Sequence, residues 1–412
     1  MNDSKLVPSF RFIEFKEGYT KKKLKEMASF LKGKGYSKND IVNYGFPIIL
    51  YGRMYTNYRL NIKFINDTFV KNDKNSVKSV EGDVIIPASG ETAEDISKAS
   101  NIKRSGIIIG GDINIIRPDN KLIDSSFLAL VLSNGKVKQK IAKRAQGKSI
   151  VHIHNTDLMS LEIYFPSLDE QQKIGNLFTK LDKLLDLQQQ KIDKLELLKK
   201  TLLQKLFPKH DAKIPELRFK GFEGDWAKIQ LKNYVTWYKG NGLSKKHLNV
   251  EKIGAPVIHY SDLYKFSEVI KNVRHWSTTN QGKLISNNSI LFPSSDVTPN
   301  GLARTSALIK SGVKAGGDII IGTLETSLSN VFMSYQINRN FKDILRMVSG
   351  TTIRHIHAND LSNLSEYITY YPEQQKIGNL LSKVDQLIEL ENKKLQNFQQ
   401  VKKCLLQNMF VE

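Results

Sequence analysis

Residues 170–177 read EQQKIGNL, and residues 373–380 read EQQKIGNL again. A run of identical residues this long does not recur by chance in a chain of 412 residues. The match extends in both directions. Residues 147–154 (GKSIVHIH) align with 350–357 (GTTIRHIH), and Asp157-Leu158 with Asp360-Leu361. Gly110-Gly111-Asp112-Ile113 pairs with Gly316-Gly317-Asp318-Ile319. Loop 32–38 (KGKGYSK) pairs with 239–245 (KGNGLSK), and the opening segment 8–12 (PSFRF) with 215–219 (PELRF). The offset stays near 203 to 209 throughout. The chain is therefore one unit written twice, each copy a mixed domain of about 160 residues followed by a long helix. This predicts heads over 1–168 and 208–371, and long helices over 169–207 and 372–412. Two copies can present two similar surfaces about a pseudo-twofold axis, which suits a symmetric partner or a two-part target.

The helices follow from apolar spacing. Residues 170–206 hold no Pro and one Gly. Ile174, Leu177, Leu181, Leu184, Ile192, Leu195, Leu198 and Leu202 recur in steps of three and four, apart from one wider interval. The second copy repeats this with Ile377, Leu380, Val384, Leu387, Leu395, Phe398, Val401 and Leu405. Such spacing predicts a coiled-coil pair. Gln188 and Glu391 fall mid-seam, and a further four-residue step then predicts a stutter that locally unwinds the supercoil. At about 1.5 Å per residue each helix spans roughly 55 Å.

The chain carries a net charge of +21, which favours a polyanion such as nucleic acid or an anionic membrane. The helical stretches 170–206 and 373–412 hold only +3 and +1 of it. The remaining charge of about +17 lies on the heads and connectors, so the heads carry the polyanion-binding field. No stretch is long and apolar enough for a membrane span. The first residues lack the apolar core of a signal peptide, and the single cysteine, Cys404, permits no intrachain disulfide. These features predict a reducing, cytoplasmic setting.

Each head has short β-rich runs broken by Gly, Asn, Asp and Pro, among them 46–51, 84–87, 107–109, 290–293 and 319–321. A helix is expected over 125–144 with Ser126 as its cap, giving an α+β head rich in loops. Three loops recur with polar groups. The Gly/Lys loops place Lys32, Lys34 and Lys38 in one copy and Lys239, Asn241 and Lys245 in the other. They read either as phosphate cradles, in which glycine opens backbone amides to phosphate, or as ordinary lysine-rich turns. The loops after Pro87 and Pro293 carry Ser89 and Thr92, then Ser294, Ser295 and Thr298. Their short side chains suit base edges, and the copies differ here. The third turn holds Lys148 and Ser149, then Thr351 and Thr352. Arg53, Arg104 and Arg304 lie in or near loops and suit guanine or phosphate. The pairs His152/His154 and His355/His357 share a strand face but lack further ligands at metal spacing, so a structural role is expected. Asp157 and Asp360 read as turn or helix-cap residues.

Catalytic patterns fail. Gly147-Lys148-Ser149 resembles the end of a P-loop, but the required leading glycine is Ala142. There is no Asn-Pro-Pro-aromatic tetrad, no glycine fingerprint for S-adenosylmethionine and no Gly-x-Ser-x-Gly elbow. These failures point to a binding subunit with no catalytic residues, no metal and no cofactor.

The Pro-x-x-Arg-Phe openings at Pro8 and Pro215, the glycine loops, the Gly-[Ser/Thr]…Ile turns with Asp-Leu and the doubled EQQKIG helix starts together resemble the specificity subunit of type I restriction-modification systems. The resemblance covers nearly the whole chain. It implies two mixed α/β target recognition domains and two long helices packed as an antiparallel coiled coil. It also implies that each domain reads half of a split target in double-stranded DNA, with the gap fixed by the helices. Partners follow from it: two methyltransferase subunits, which use S-adenosylmethionine, and endonuclease/translocase subunits, which hydrolyse ATP. Neither cofactor would then bind this chain. The first copy departs from the pattern, with Phe10 at a Leu-like position and Glu17-Gly18-Tyr19 where the second has Glu223-Gly224-Asp225-Trp226.

Overall fold

A computed structural model describes residues 6–74, 76–147, 150–209, 212–265 and 267–411; Lys148 and Ser149 of the third loop lie outside the described residues. Contacts divide the chain into two compact units, Met1–Gln190 with Lys393–Glu412, and Lys191–Asn392. Each unit thus holds one head, the beginning of the long helix that follows that head, and the end of the other long helix.

In the first unit a five-stranded sheet has the order Ala28–Lys32, Ile113–Pro118, Val84–Pro87, Ser100–Ile102, Asn61–Ile62. In the second unit the order is Val235–Lys239, Ile319–Leu324, Ser289–Pro293, Ser306–Leu308, Val269–Ile270. The central strands are continuous β-branched and aromatic runs because both their faces are covered. Alternation along each strand feeds two cores. Val84, Ile86 and Ile116 join the main core, while Ile85, Ile113 and Ile115 join a second one with Ile49 and Ile109. The second unit repeats the division with Ile290, Phe292 and Ile320 against Leu291, Ile319 and Ile321.

The helix expected over 125–144 is two helices, Ser125–Ser133 and Gly135–Arg144. Asn134 is extended between them, and Gly135 follows at φ +57°, a backbone region that glycine enters freely. The cap is Asp124, whose side chain accepts from the Phe127 amide at 2.8 Å. Ser126 is buried and bonds Asn61 instead.

The doubled EQQKIG motif is a joint between helix and head. Arg11 of the first PxxRF segment makes a two-pronged pair with Glu170 at 2.8 and 2.7 Å, and Arg218 makes the same pair with Glu373, both at 2.9 Å. Both carboxylates are fully buried. Gln171 accepts from the Asp124 amide and donates to the carbonyls of Leu122 and Pro166. Gln374 accepts from the Ser329 amide and donates to Ser327 and Thr369. Ile174 and Ile377 enter the head cores. Gly175 and Gly378 let the helix approach the N-terminus of the next head helix: a Cβ would stand 3.0 Å from the Asp124 carboxylate in one case and 3.2 Å from the Phe332 amide in the other. Tyr19 takes the position of Trp226; its hydroxyl donates to the Met409 carbonyl, while Trp226 packs on Phe207 and Phe332.

The long helices span Leu168–Lys205 and Tyr371–Asn408. Within the first unit Phe178 meets Phe410 and Asp182 binds Lys402 at 2.5 Å. Within the second, Lys191 binds Glu391 at 2.9 Å and Lys199 binds Asp385 at 2.7 Å. Later residues of one helix meet earlier residues of the other, so the pair is antiparallel. Burial corrects the sequence-derived seam. Phe178, Leu185 and Lys199 face inward where Leu177, Leu184 and Leu198 were expected, and Leu184 and Leu198 are each 45% exposed. In the second helix Leu381, Ile388 and Lys402 replace Leu380, Leu387 and Val401. The inward positions then run in unbroken alternating steps of four and three, and the expected stutter disappears. Apolarity alone misled here because the seam accepts charged residues that find partners across it. Glu391 is 4% exposed and held by Lys191.

Candidate nucleic-acid interface

Three loops far apart in sequence meet at one edge of each head. In the first head the Gly111 amide donates to the Gly35 carbonyl, the Ala88 amide to Asp112, and the Ile153 amide to Ala88. In the second head Gly317 donates to Gly242, Ser294 to Asp318, and Ile356 to Ser294. The Gly/Lys loop, the loop after the central strand and the segment holding the paired histidines are thereby stitched side by side. A two-stranded ribbon completes each edge, Ser89–Gly90 with Val151–His152 and Ser295–Asp296 with Arg354–His355.

Gly33 and Gly240 of the first loop serve packing and do not expose their amides. A Cβ at Gly33 would overlap the Gly110 carbonyl oxygen, and one at Gly240 the Gly316 oxygen. The amides of Gly33, Lys34, Gly240 and Asn241 already donate to Ile113, Ile109, Ile319 and Ala315. These backbone groups cannot also cradle phosphate. What the loops offer is side chains: Lys32, Lys34, Lys38, Lys239, Asn241 and Lys245 are all exposed. Adjacent αL residues, Gly35 at φ +64° and Tyr36 at +55°, Gly242 at +56° and Leu243 at +60°, shape the turn.

The second loop divides into supporting and outward residues. Ser89 is buried, its Oγ 3.0 Å from His152 Nδ1. Ser294 is buried too, and the half-buried Ser295 lends its carbonyl to the Tyr264 hydroxyl at 2.6 Å. Burial pushes the Tyr264 phenol up to about 12, keeping it a donor. Thr92 and Thr298 are exposed, and each closes a local turn, with Asp95 and with the Gly301 amide respectively. Thr351 and Thr352 are exposed at the tip of the third loop. Beside them stand groups that sequence reading did not select: Ile150 and Ile353, each 54% exposed, and Val297, 75% exposed. Their signal was present, since an apolar residue inside a polar turn has no core to serve.

The arginines part company. Arg53, on the short helix Tyr51–Thr56, is paired to Asp67. Arg304 donates to the carbonyls of Tyr264 and Asn300, a bracing role. Arg104 is exposed but follows strand Ser100–Ile102, whose antiparallel register with Val84–Pro87 carries it to the opposite end of the sheet from Ala88. His154 and His357 start short helices, with their own amides donating to Asp157 and Asp360, so both aspartates act as caps as expected. Among the described residues no group of three His, Cys, Asp or Glu side chains forms a metal site, and no helix is long and apolar enough to cross a membrane.

The second head adds a cleft of 580 Å3 beside its Gly/Lys loop, lined by Lys245, His247, His259, Tyr260, Gln281 and Asp318. Burial holds the His259 imidazole below its usual pKa, against the opposing pull of Asp262. Its ring lies 4.2 Å from that of Tyr260. At neutral pH this wall is an uncharged aromatic pair facing exposed lysines.

Two mixed heads, each with a polar three-loop edge and each joined to one member of an antiparallel helix pair, define a duplicated recognition subunit. A solved structure of the type I restriction-modification S subunit from M. genitalium shares this fold, with a TM-score of 0.67 at 16% identity over 98% of this chain and 99% of that one. A second solved structure, from work on assembly and conformational transition of the type I R-M system, matches with a TM-score of 0.51 at 17% identity, covering 96% and 98%. The type I restriction modification DNA specificity domain matches twice, at residues 16–197 and 223–400, and the chain belongs to that family. Two Methanocaldococcus jannaschii proteins are similar. A putative type I restriction enzyme MjaX specificity subunit is 26% identical over 73% of this chain and 70% of its own length. The type I restriction enzyme MjaVIII specificity subunit is 23% identical over 83% and 81%.

Proposed function

We propose that this chain is the non-catalytic DNA-reading subunit of a type I restriction-modification complex and recognises a bipartite duplex target, one half per head. The observation that carries the reading is the three-loop edge. The same backbone bonds build it in both heads, while the side chains it presents differ: Ala88-Ser89-Gly90-Glu91-Thr92 in one, Ser294-Ser295-Asp296-Val297-Thr298 in the other. A shared frame with different contents suits two related readers of different base sequences. The exposed lysines supply phosphate contacts that position the duplex, and the short polar side chains with Ile150, Ile353 and Val297 supply base-edge and thymine-methyl contacts. In this reading Arg53 and Arg304 support the edge, and Arg104 serves elsewhere.

The long helices set the gap and recruit partners. Leu184 and Leu187 on the first helix and Leu387 and Leu390 on the second are exposed at equivalent repeat positions. Two equivalent apolar patches fit two methyltransferase subunits. Those subunits, with endonuclease/translocase subunits, would use S-adenosylmethionine and ATP, and this chain would choose the site.

The test is genome methylation profiling with and without the gene, with the methyltransferase subunit co-expressed. A methylated motif of two short halves around a fixed gap is expected to vanish on deletion. Unchanged methylation, together with equal affinity of the assembled complex for target and scrambled duplexes, would overturn the reading.

A further inference from the structure

Each unit has an equivalent cleft where its own head, first-helix and second-helix segments meet, and the two are filled differently. In the second unit Lys199 projects into it and is held by two carboxylates, Glu268 at 2.6 Å and Asp385 at 2.7 Å. Tyr335 also donates to Asp385, at 2.5 Å. The wall facing them includes Phe341. In the first unit the repeat puts Lys402 at the place of Lys199 and Asp182 at that of Asp385, and this pair forms at 2.5 Å. The second acid is missing. The residue equivalent to Glu268 is Leu60; their carbonyls accept from the equivalent amides of Ala307 and Asn101. The position of Phe341 holds Lys138 instead.

The first unit's cleft, 370 Å3, therefore gathers Lys98, Lys138 and Lys402 around Asp182, with Glu94 at its rim and Arg59 held by Asp186 at 2.5 Å. Lys98 is half-buried and its ammonium donates to the Tyr55 carbonyl at 3.0 Å. Burial lowers its pKa, and Lys138, Arg59 and Lys402 lower it further against the pull of Asp95. Beyond the Lys402–Asp182 and Arg59–Asp186 pairs, Lys98 and Lys138 bring two like charges into a half-desolvated cleft, a condition that an entering anion relieves. Strand Ser100–Ile102 begins at the same end of the sheet as Ala88, so Lys98 stands on the side that bears the three-loop edge.

We propose that this cleft binds a phosphate oxyanion, which supplies beside Leu60 the negative charge that the Glu268 carboxylate supplies in the second unit. Lys98 and Lys138 supply the donors, while Lys402 remains tied to Asp182 and Arg59 to Asp186. The phosphate comes either from a free phosphorylated small molecule or from the DNA backbone, and the second source rests on the reading proposed above.

Full-length protein is titrated with inorganic phosphate and with ATP by calorimetry, and with duplex DNA across a salt series. The comparison set is wild type, Lys98→Met/Lys138→Met, and Leu60→Glu, which installs the second unit's acid. Saturable binding of phosphate or ATP by wild type, weakened at least tenfold in either variant with the DNA salt slope unchanged, identifies a free ligand. A salt slope about one unit shallower in the double variant, without binding of the free anions, identifies a backbone phosphate. The double variant keeps the test decisive if Leu60→Glu does not fold. Unchanged phosphate, ATP and salt-slope behaviour overturns the proposal. A methylated motif that is still lost on gene deletion would then leave the DNA-reading role standing.

Discussion

The joint that seats each long helix on its head and the polar edge of that head were duplicated together, yet they look different today. At the joints even the hydrogen bonds match: Arg11–Glu170 repeats as Arg218–Glu373, and Gln171 clamps its loop as Gln374 does. At the edges only the backbone stitching matches. The difference follows from what each place requires. A buried carboxylate tolerates one partner geometry, because an unmatched charge there is costly. An exposed loop held by its own main chain can change side chains at little cost in stability. Sameness therefore marks architecture in this molecule, and difference falls where recognition is proposed.

The comparison breaks most visibly at the joints. Arg218→Ala strands the fully buried Glu373 and also removes the donors to the Glu223 and Gly224 carbonyls. It is expected to cost about 3–5 kcal/mol in denaturant unfolding. Arg11→Ala strands Glu170 in the same way, and its loss should be similar: Arg218 makes two extra bonds to carbonyls, but Glu373 keeps the Thr369 hydroxyl where the first copy has Pro166. Joints that differed severalfold in cost would contradict their equivalence.

A smaller effect separates the copies where they depart inside the core. Ile163 of the first head corresponds to Glu366 of the second, which is 2% exposed and accepts from Gln336 and Asn340. Burial raises its carboxyl from 4.5 to about 7, and those two bonds only partly offset the rise. The folded state therefore holds this proton more tightly than the unfolded chain. The stability it contributes is complete below pH 4.5, falls as pH rises to 7 and is absent above, a change on the order of 3 kcal/mol. Glu366→Gln keeps an acceptor for both donors and removes the titration. Its unfolding free energy, followed from pH 4.5 to 8, should lack the decline that wild type shows in that window.

The duplication, both long helices and the three loops were legible in sequence because repetition and periodicity are local signals. The seam was not. Leu184 and Leu185 are chemically identical neighbours, and only the partner helix decides which faces inward. Leu185→Ala is expected to cost about 2 kcal/mol and Leu184→Ala almost nothing in unfolding experiments. The reverse order would restore the stuttered seam. The role of the loop glycines was equally hidden, since the carbonyl that Gly33 must clear belongs to Gly110, many residues away. The edge as a surface was invisible for the same reason: strand order brings its loops together, and a list of loops does not contain strand order.

Ser89 gives the finest division between support and recognition. Its hydroxyl is buried against His152 while Thr92, three residues on, is exposed. Ser89→Ala leaves the ribbon's backbone pairing intact and removes one neutral hydrogen bond, so stability should fall by about 1 kcal/mol. The His152 ring loses its positioning partner, and any change in DNA affinity should appear through that ring. Thr92→Ala removes the exposed turn bonds to Asp95, so it should also cost about 1 kcal/mol of stability, and, if the outward side chains read bases, it should alter affinity at one base pair by about 1–3 kcal/mol. Affinities measured against duplexes varied one base pair at a time separate the cases. A uniform loss across all duplexes for Ser89→Ala would mark it as support, and a loss confined to one position would make it a reader despite its burial.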